Sequence, residues 1–264
     1  GKKHLTFEDV FDEYTDMLKQ KGKFSSEKLY RLAKDRFEDY FNSREILLDI
    51  ITPMDIVKFD ASLKKRKCSA ATIKTYMSLV KVIIDYAKKM KYVIYEVEPF
   101  EFYSMPSYEP RELWFTIDEF RKVYNAKPSS YNFEIMRDIW LLTFFLCVAN
   151  IIDILSYNFK GKTIMKYQRT KTKNSKKDSG WTIFDIQPEA KEIISKYIQR
   201  NGKLCFGKYK TKTTISQLFV RESAKYMESI GICKKFIPMA ARKTFFQIGF
   251  DNNISTDILD YCVG

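Results

Sequence analysis

The stretch PMAARKTFF, residues 238–246, poses the question around which the rest of the chain is read. Its small and aromatic residues describe a buried helix, yet Arg242 stands in the middle of it. An arginine is seldom fully buried unless something meets its charge. Two readings follow from the residues alone. Arg242 is satisfied by a buried acid such as Asp153, or it is seated at a cleft to hold an anion from outside. Both hold together if Asp153 keeps Arg242 when no anion is present.

Working outward, IWLLTFFLCVANIIDIL (139–155) is the most apolar run and carries Asn150 and Asp153 near its end. It is short for a bilayer span, so one buried core helix and no membrane role are expected. No signal-peptide pattern is present, and the opening Gly-Lys-Lys without Met reads as an artificial start. Between these two stretches the period changes to two. KTIMKYQRTKT (162–172) and GWTIFDIQ (180–187) predict paired strands around a basic loop. TIDEFRKVYNA (116–126), PEAKEIISKYIQ (188–199) and TTISQLFVRESAKYMESIG (213–231) predict helices, the first opened by a Thr116/Glu119 capping box.

The first hundred residues read as four helices. LTFEDVFDEYTDMLKQKGK (5–23) puts Phe7, Val10, Phe11, Tyr14 and Leu18 on one face. SSEKLYRLAKDRFEDYF (25–41) has Ser25 or Ser26 to cap it, and TPMDIVKFDASLKK (52–65) has Thr52 as cap with Pro53 at its first position. SAATIKTYMSLVKVIIDYAKKM (69–90) is the strongest, with Ile73, Tyr76, Met77, Val80, Ile83, Ile84 and Ala87 on its apolar face. Lys74, Lys81 and Lys88 line up on a second face. EPFEFYSMPSYEPREL (98–113), with three prolines, reads as a linker. The expected organisation is therefore a helical domain over 1–100, a linker over 101–112, and a mixed, mainly helical domain with a small antiparallel β-sheet over 113–264.

The 264 residues carry a formal charge of +13, which points to a polyanionic partner. The excess is local: residues 61–95 hold nine Lys and Arg against Asp85 alone, and residues 160–177 hold eight and no acid. The five cysteines show no CxxC pair, which favours a reduced cytoplasmic setting over disulfides or zinc. The single histidine, His4, lies in a tail and argues against His-based catalysis. There is no Gly-rich phosphate loop, HExxH or GxSxG. The aromatics sit at helical spacing and are expected in the core.

Several stretches fall into one known order. LLTFFLCVANIIDIL (141–155) resembles the segment that carries the first catalytic arginine of the tyrosine recombinases, the phage-integrase family. YQRTKT (167–172) resembles the hairpin with that family's lysine, IPMAARKTFF (237–246) its His-x-x-Arg box, and ISTDILDYCVG (254–264) the approach to its Leu-Gly-His box. The N-terminal helices resemble its SAM-like core-binding domain. In character the chain is similar to integrases of mobile elements in gut bacteria.

The resemblance implies DNA integration and recombination, duplex DNA as partner, self-association on DNA, and no cofactor or metal. In the family a tyrosine attacks a phosphodiester, with two arginines, a lysine and histidines around the phosphate. Carried over, Lys171 matches the hairpin lysine and Arg242 the second arginine. Asn150 stands at the expected first arginine, and Met239 at the expected histidine. Asn150 brings a hydrogen bond but no charge, and equally fits a polar residue satisfying backbone at a helix end. Met239 can neither move a proton nor pair with phosphate, and reads as core filler. The sequence ends at Gly264, before the segment that carries the tyrosine, and Tyr261 does not match that nucleophile.

Backbone-phosphate contacts are expected from Lys64, Lys65, Arg66 and Lys67, from the row Lys74, Lys81 and Lys88, and from Lys166, Arg169, Lys173, Lys176 and Lys177 of the hairpin. The residues thus leave three functions open: a recombinase, a DNA-binding relative without the chemistry, or a basic helical protein-interaction module.

Overall fold

The computed structural model describes residues 5–22, 24–109, 112–170 and 181–263. They divide into two compact units, with the boundary between residues 110 and 111.

The first unit packs α1 (Phe7–Gln20), α2 (Phe24–Phe41), a 3-10 turn (Leu48–Ile50), α3 (Pro53–Lys65) and α4 (Ala70–Lys89) around one core. The helix starts are written locally. Thr6 with Asp9 and Thr52 with Asp55 each form a reciprocal capping box, and Pro53 opens α3. α2 begins at Phe24, ahead of Ser25 and Ser26. α4 buries Ile73, Met77, Val80, Ile83, Ile84 and Ala87, the face its spacing predicts, except that Tyr76 is only half-buried. Each fully buried aliphatic side chain there contributes roughly 1.5–3 kcal/mol. Phe37 joins the layers, with ring centroids 4.9 Å from Phe7 and 5.0 Å from Phe59. The segment after α4 does not run free. Phe100, Tyr103 and Met105 pack on this core, and the Tyr103 hydroxyl donates to Asp60 at 2.8 Å.

The second unit holds α5 (Ile117–Asn125), α6 (Tyr131–Phe145), α7 (Ile151–Ser156), β1 (Ile164–Gln168), β2 (Trp181–Asp185), α8 (Pro188–Tyr197), α9 (Lys212–Ser229), α10 (Pro238–Asp251) and α11 (Thr256–Val263). α6 is its axis, packed against α8, α9 and α10. Trp140 on α6 is fully buried, with ring centroids 5.3 Å from Phe115 and 5.1 Å from Phe236. β1 and β2 form an antiparallel pair with Lys166 opposite Ile183 and Gln168 opposite Trp181. Along β1, Met165 and Tyr167 face in while Ile164 and Lys166 face solvent, as period two requires.

One expectation is corrected. The apolar run 139–155 is two helices, not one. α6 ends at Phe145 and α7 begins at Ile151. Between them Cys147 and Val148 take φ of 45° and 55°. That left-handed region is costly for a β-branched residue and breaks the helical hydrogen-bond ladder. The break turns Asn150 away from a helix interior and makes it the N-cap residue of α7. No helix among the described residues is long and apolar enough to cross a membrane.

Candidate nucleic-acid site

α10 presents Arg242, and two contacts fix how it does so. The Thr244 hydroxyl, fully buried, accepts a hydrogen bond from the Phe115 amide at 2.9 Å and sets the rotation of the helix. At the far end Gly249 lets α11 approach: a Cβ there would lie 2.5 Å from a Leu259 methyl. Arg242 itself is partly buried, with its neighbours Ala240 and Ala241 in the core.

Its hydrogen-bond partner among the described residues is Asn150, whose Oδ1 accepts from Arg242 Nη1 at 3.2 Å. Asn150 makes no capping bond to α7, so its side chain is turned to the guanidinium and not to backbone. Asp153, 4% exposed, does not bond Arg242 as expected. Its Oδ1 accepts from the Thr170 amide at 3.2 Å and from the Thr170 hydroxyl, and its Oδ2 is buried with no hydrogen-bond partner. Asp153 reaches Arg242 only through its charge. Burial, and then the positive charge of Arg169, lower the Arg242 pKa, against weaker opposite pulls from Tyr167 and Asp153.

Arg169 is a further correction. Expected on a phosphate-facing surface, it is 2% exposed. Its Nη2 donates to the carbonyls of Val148 and Cys262, each at 3.3 Å. The strand alternation carries its side chain inward with Tyr167, whose pKa is raised by burial and held back by the Arg169 charge. Burial, then the neighbouring Cys262 thiol, pushes the Cys147 thiol up to about 12. Sequence reasoning missed Thr170, which anchors Asp153, and the interior position of Arg169. The period-two pattern contained that signal, but the density of surrounding lysines suggested solvent.

Met239 is half exposed on the first turn of α10, so it is not core filler. Tyr261 is tied to the outer edge of β2, its hydroxyl accepting from the Ile183 amide at 3.1 Å. Lys171, Lys173, Lys176 and Lys177 lie outside the described residues. Lys166 is exposed and stands 5.1 Å over the Trp181 ring.

In the first unit Lys64, Lys65, Arg66 and Lys67 are all exposed. Lys64 pairs with Asp60 at 2.5 Å and Arg66 with Asp39 at 3.2 Å. The α4 row is less free than its spacing suggests. Lys74 stands over the Tyr108 ring at 5.6 Å, Lys81 pairs with Asp85 at 3.5 Å, and Lys88 pairs with Glu98 at 2.5 Å. Glu98 comes from the segment after α4, beyond the acid-poor stretch. Among the described residues no group of three or more His, Cys, Asp or Glu is placed to hold a metal.

Residues 6–105 match the family model of the phage integrase SAM-like domain. The chain is similar to a lambda integrase dimer bound to a COC' core site, with TM-score 0.71 and 16% identity over 98% of this chain and 92% of that one. The Tn1549 transposon integrase in complex with transposon right end DNA gives TM-score 0.71 and 15% identity, over 98% and 90%. A lambda integrase tetramer bound to a Holliday junction gives 0.62 and 16%, over 98% and 76%. No curated protein matches the chain significantly by sequence. The chain has an integrase-like fold: its first unit matches the phage integrase SAM-like domain model, and its second is mainly helical with one two-stranded sheet among the described residues.

Proposed function

We propose that this chain is a DNA-binding protein of the integrase type, engaged in DNA integration and recombination, that holds duplex DNA through backbone phosphates. The observation that carries the reading is Arg242: a desolvated guanidinium whose hydrogen-bond partner is a neutral amide, Asn150. A planar guanidinium fork with free donors suits the nonbridging oxygens of a phosphodiester. Lys171 would meet the same phosphate from the hairpin. The exposed group Lys64 to Lys67 and the hairpin lysines would meet neighbouring phosphates, contacts that position a protein without reading sequence. Lys81 and Lys88 would exchange their carboxylate partners for phosphates on binding.

The relatives of like fold are bound to DNA as dimers and tetramers, which supports self-association on DNA here. The cysteines are all free, which supports a cytoplasmic setting. The first domain is best taken to run through residue 105, since Tyr103 and Met105 pack on its core and the family match ends there, with the second domain over 113–264. With Asn150 and Met239 in the places of an arginine and a histidine, the chain in hand binds without cutting.

The test is a fluorescence-anisotropy titration of a labelled duplex across a salt series. Affinity is expected to fall linearly on logarithmic axes, with a slope near −0.9 per phosphate neutralised. Absence of binding at low salt overturns the reading and favours a basic module for acidic proteins.

A further inference from the structure

A buried guanidinium is normally matched to a carboxylate. Arg169 is 2% exposed, yet its hydrogen bonds go to two neutral carbonyls, Val148 and Cys262, and its Nε is buried without a partner among the described residues. Nearby, Asp153 leaves Oδ2 equally unmatched. Arg169 and Arg242 feel each other's charge. Neither guanidinium bonds a carboxylate among the described residues, Asp153 acts on Arg242 through its charge alone, and positive charge is left over in a desolvated place. Such an arrangement is poorly compensated when empty and gains most from an entering anion. The Val148 carbonyl that anchors Arg169 lies two residues before Asn150, in the left-handed break between α6 and α7. The break thus sets Arg169 beside the position that lacks a charge.

The geometry points to Arg169 as the second positive charge of the phosphate site, standing in from the sheet side for the charge that Asn150 does not bring. It is a positioning residue: Arg242 makes the bond to the phosphodiester, and Arg169 raises the potential in which that bond forms. This rests on the reading of Arg242 as a phosphate contact.

The experiment compares the parent chain with Arg169→Lys, Arg169→Met, Asn150→Arg and the double variant Asn150→Arg/Arg169→Met, on one labelled duplex across a salt series. Circular dichroism establishes that each is folded. Arg169→Met is expected to weaken binding several-fold and flatten the salt slope by about one, Arg169→Lys to keep the parent slope, and the double variant to recover it. In the parent background Asn150→Arg removes the acceptor that orients Arg242 and crowds a third guanidinium against one carboxylate, so there it is expected to flatten the slope. This reversal of sign between backgrounds is a coupling that a purely structural Arg169 would not produce. An unchanged slope in Arg169→Met, or no recovery in the double variant, overturns the assignment while leaving DNA binding intact. Should Arg169→Met not fold, Asn150→Arg alone decides, and a slope unchanged or steeper than the parent's overturns it. A parent chain that does not bind the duplex at all removes the phosphate reading and this inference together.

Discussion

Two clusters of buried charge in the second unit differ in one respect. On α6, Asp138 is fully buried and takes four hydrogen bonds. Arg137 Nε and Nη2 donate to Oδ1 at 3.0 and 2.8 Å, and Lys196 Nζ and the Tyr197 hydroxyl donate to Oδ2 at 3.1 and 2.9 Å. Every oxygen is matched, and the carboxylate joins α6 to α8. Around α10, Asp153 receives both its bonds from Thr170 on one oxygen, Arg169 keeps an unmatched Nε, and Arg242 has an amide for partner. Unmatched buried atoms occur elsewhere in this unit, at Trp140 Nε1 and the Tyr226 hydroxyl, but those groups are neutral. A saturated ionic cluster is a structural joint. An unsaturated one with charge to spare is a place where something else fits.

The largest expected effect falls on the saturated cluster. Asp138→Ala strands Arg137 and Lys196 without their common acceptor and should cost about 3–5 kcal/mol. Thermal unfolding should fall by roughly 10 °C, while folded protein keeps its salt slope on DNA. A shift in the slope would mean that Asp138 also serves the site, and the contrast would fail.

Next in size is the hairpin. Replacing Lys171, Lys173, Lys176 and Lys177 with Ala should flatten the salt slope by about three to four if each neutralises a phosphate, with the melting temperature unmoved. Removing Lys2 and Lys3 should change little. An unchanged slope in the hairpin variant would mark those lysines as solvated only.

A smaller effect sharpens the comparison from the other side. Asp153→Asn keeps an acceptor for Thr170 but removes the carboxylate whose charge acts on Arg242. Stability should drop by about 1–2 kcal/mol, and the drop should shrink when the duplex is present, since a bound phosphate supplies the missing negative charge. An equal drop with and without DNA would show that no phosphate comes to Arg242.

What the sequence revealed follows from how far each signal reaches. The buried face of α4, the Thr52–Pro53 start of α3 and the Thr116/Glu119 box are local patterns, and each stands as spaced. The break at Cys147 and Val148 was hidden because residues on both sides are equally apolar, so composition could not mark a change of backbone. Arg169 was hidden for the opposite reason, a buried cation inside a run that looks solvated. The partner of Arg242 lies 92 residues away in sequence, a distance at which only the fold decides between Asn150 and Asp153. Glu98 closing on Lys88 was likewise invisible while the segment after α4 read as a free linker.

The smallest effect expected is none at all, and it concerns chemistry. Residues 1–264 should not become covalently attached to DNA. Attack on a phosphodiester needs a positioned nucleophile and groups that move protons. Met239, at the place the resemblance gives to a histidine, is half exposed and carries no titratable atom. Asn150 orients Arg242 but adds no charge, and losing one preorganised charge partner typically costs on the order of 100-fold in rate. Tyr261, the tyrosine of α11, has its hydroxyl bound to the Ile183 amide at the edge of β2. A duplex with a nick beside the binding site would trap any phosphotyrosyl product, which a denaturing gel separates from free protein. No shifted band is expected, even at salt concentrations where anisotropy shows the duplex bound. A shifted band would overturn the prediction. Mapped to Tyr261, it would require α11 to leave the strand edge, and the bond to Ile183 would then be a resting contact of a nucleophile instead of a structural one.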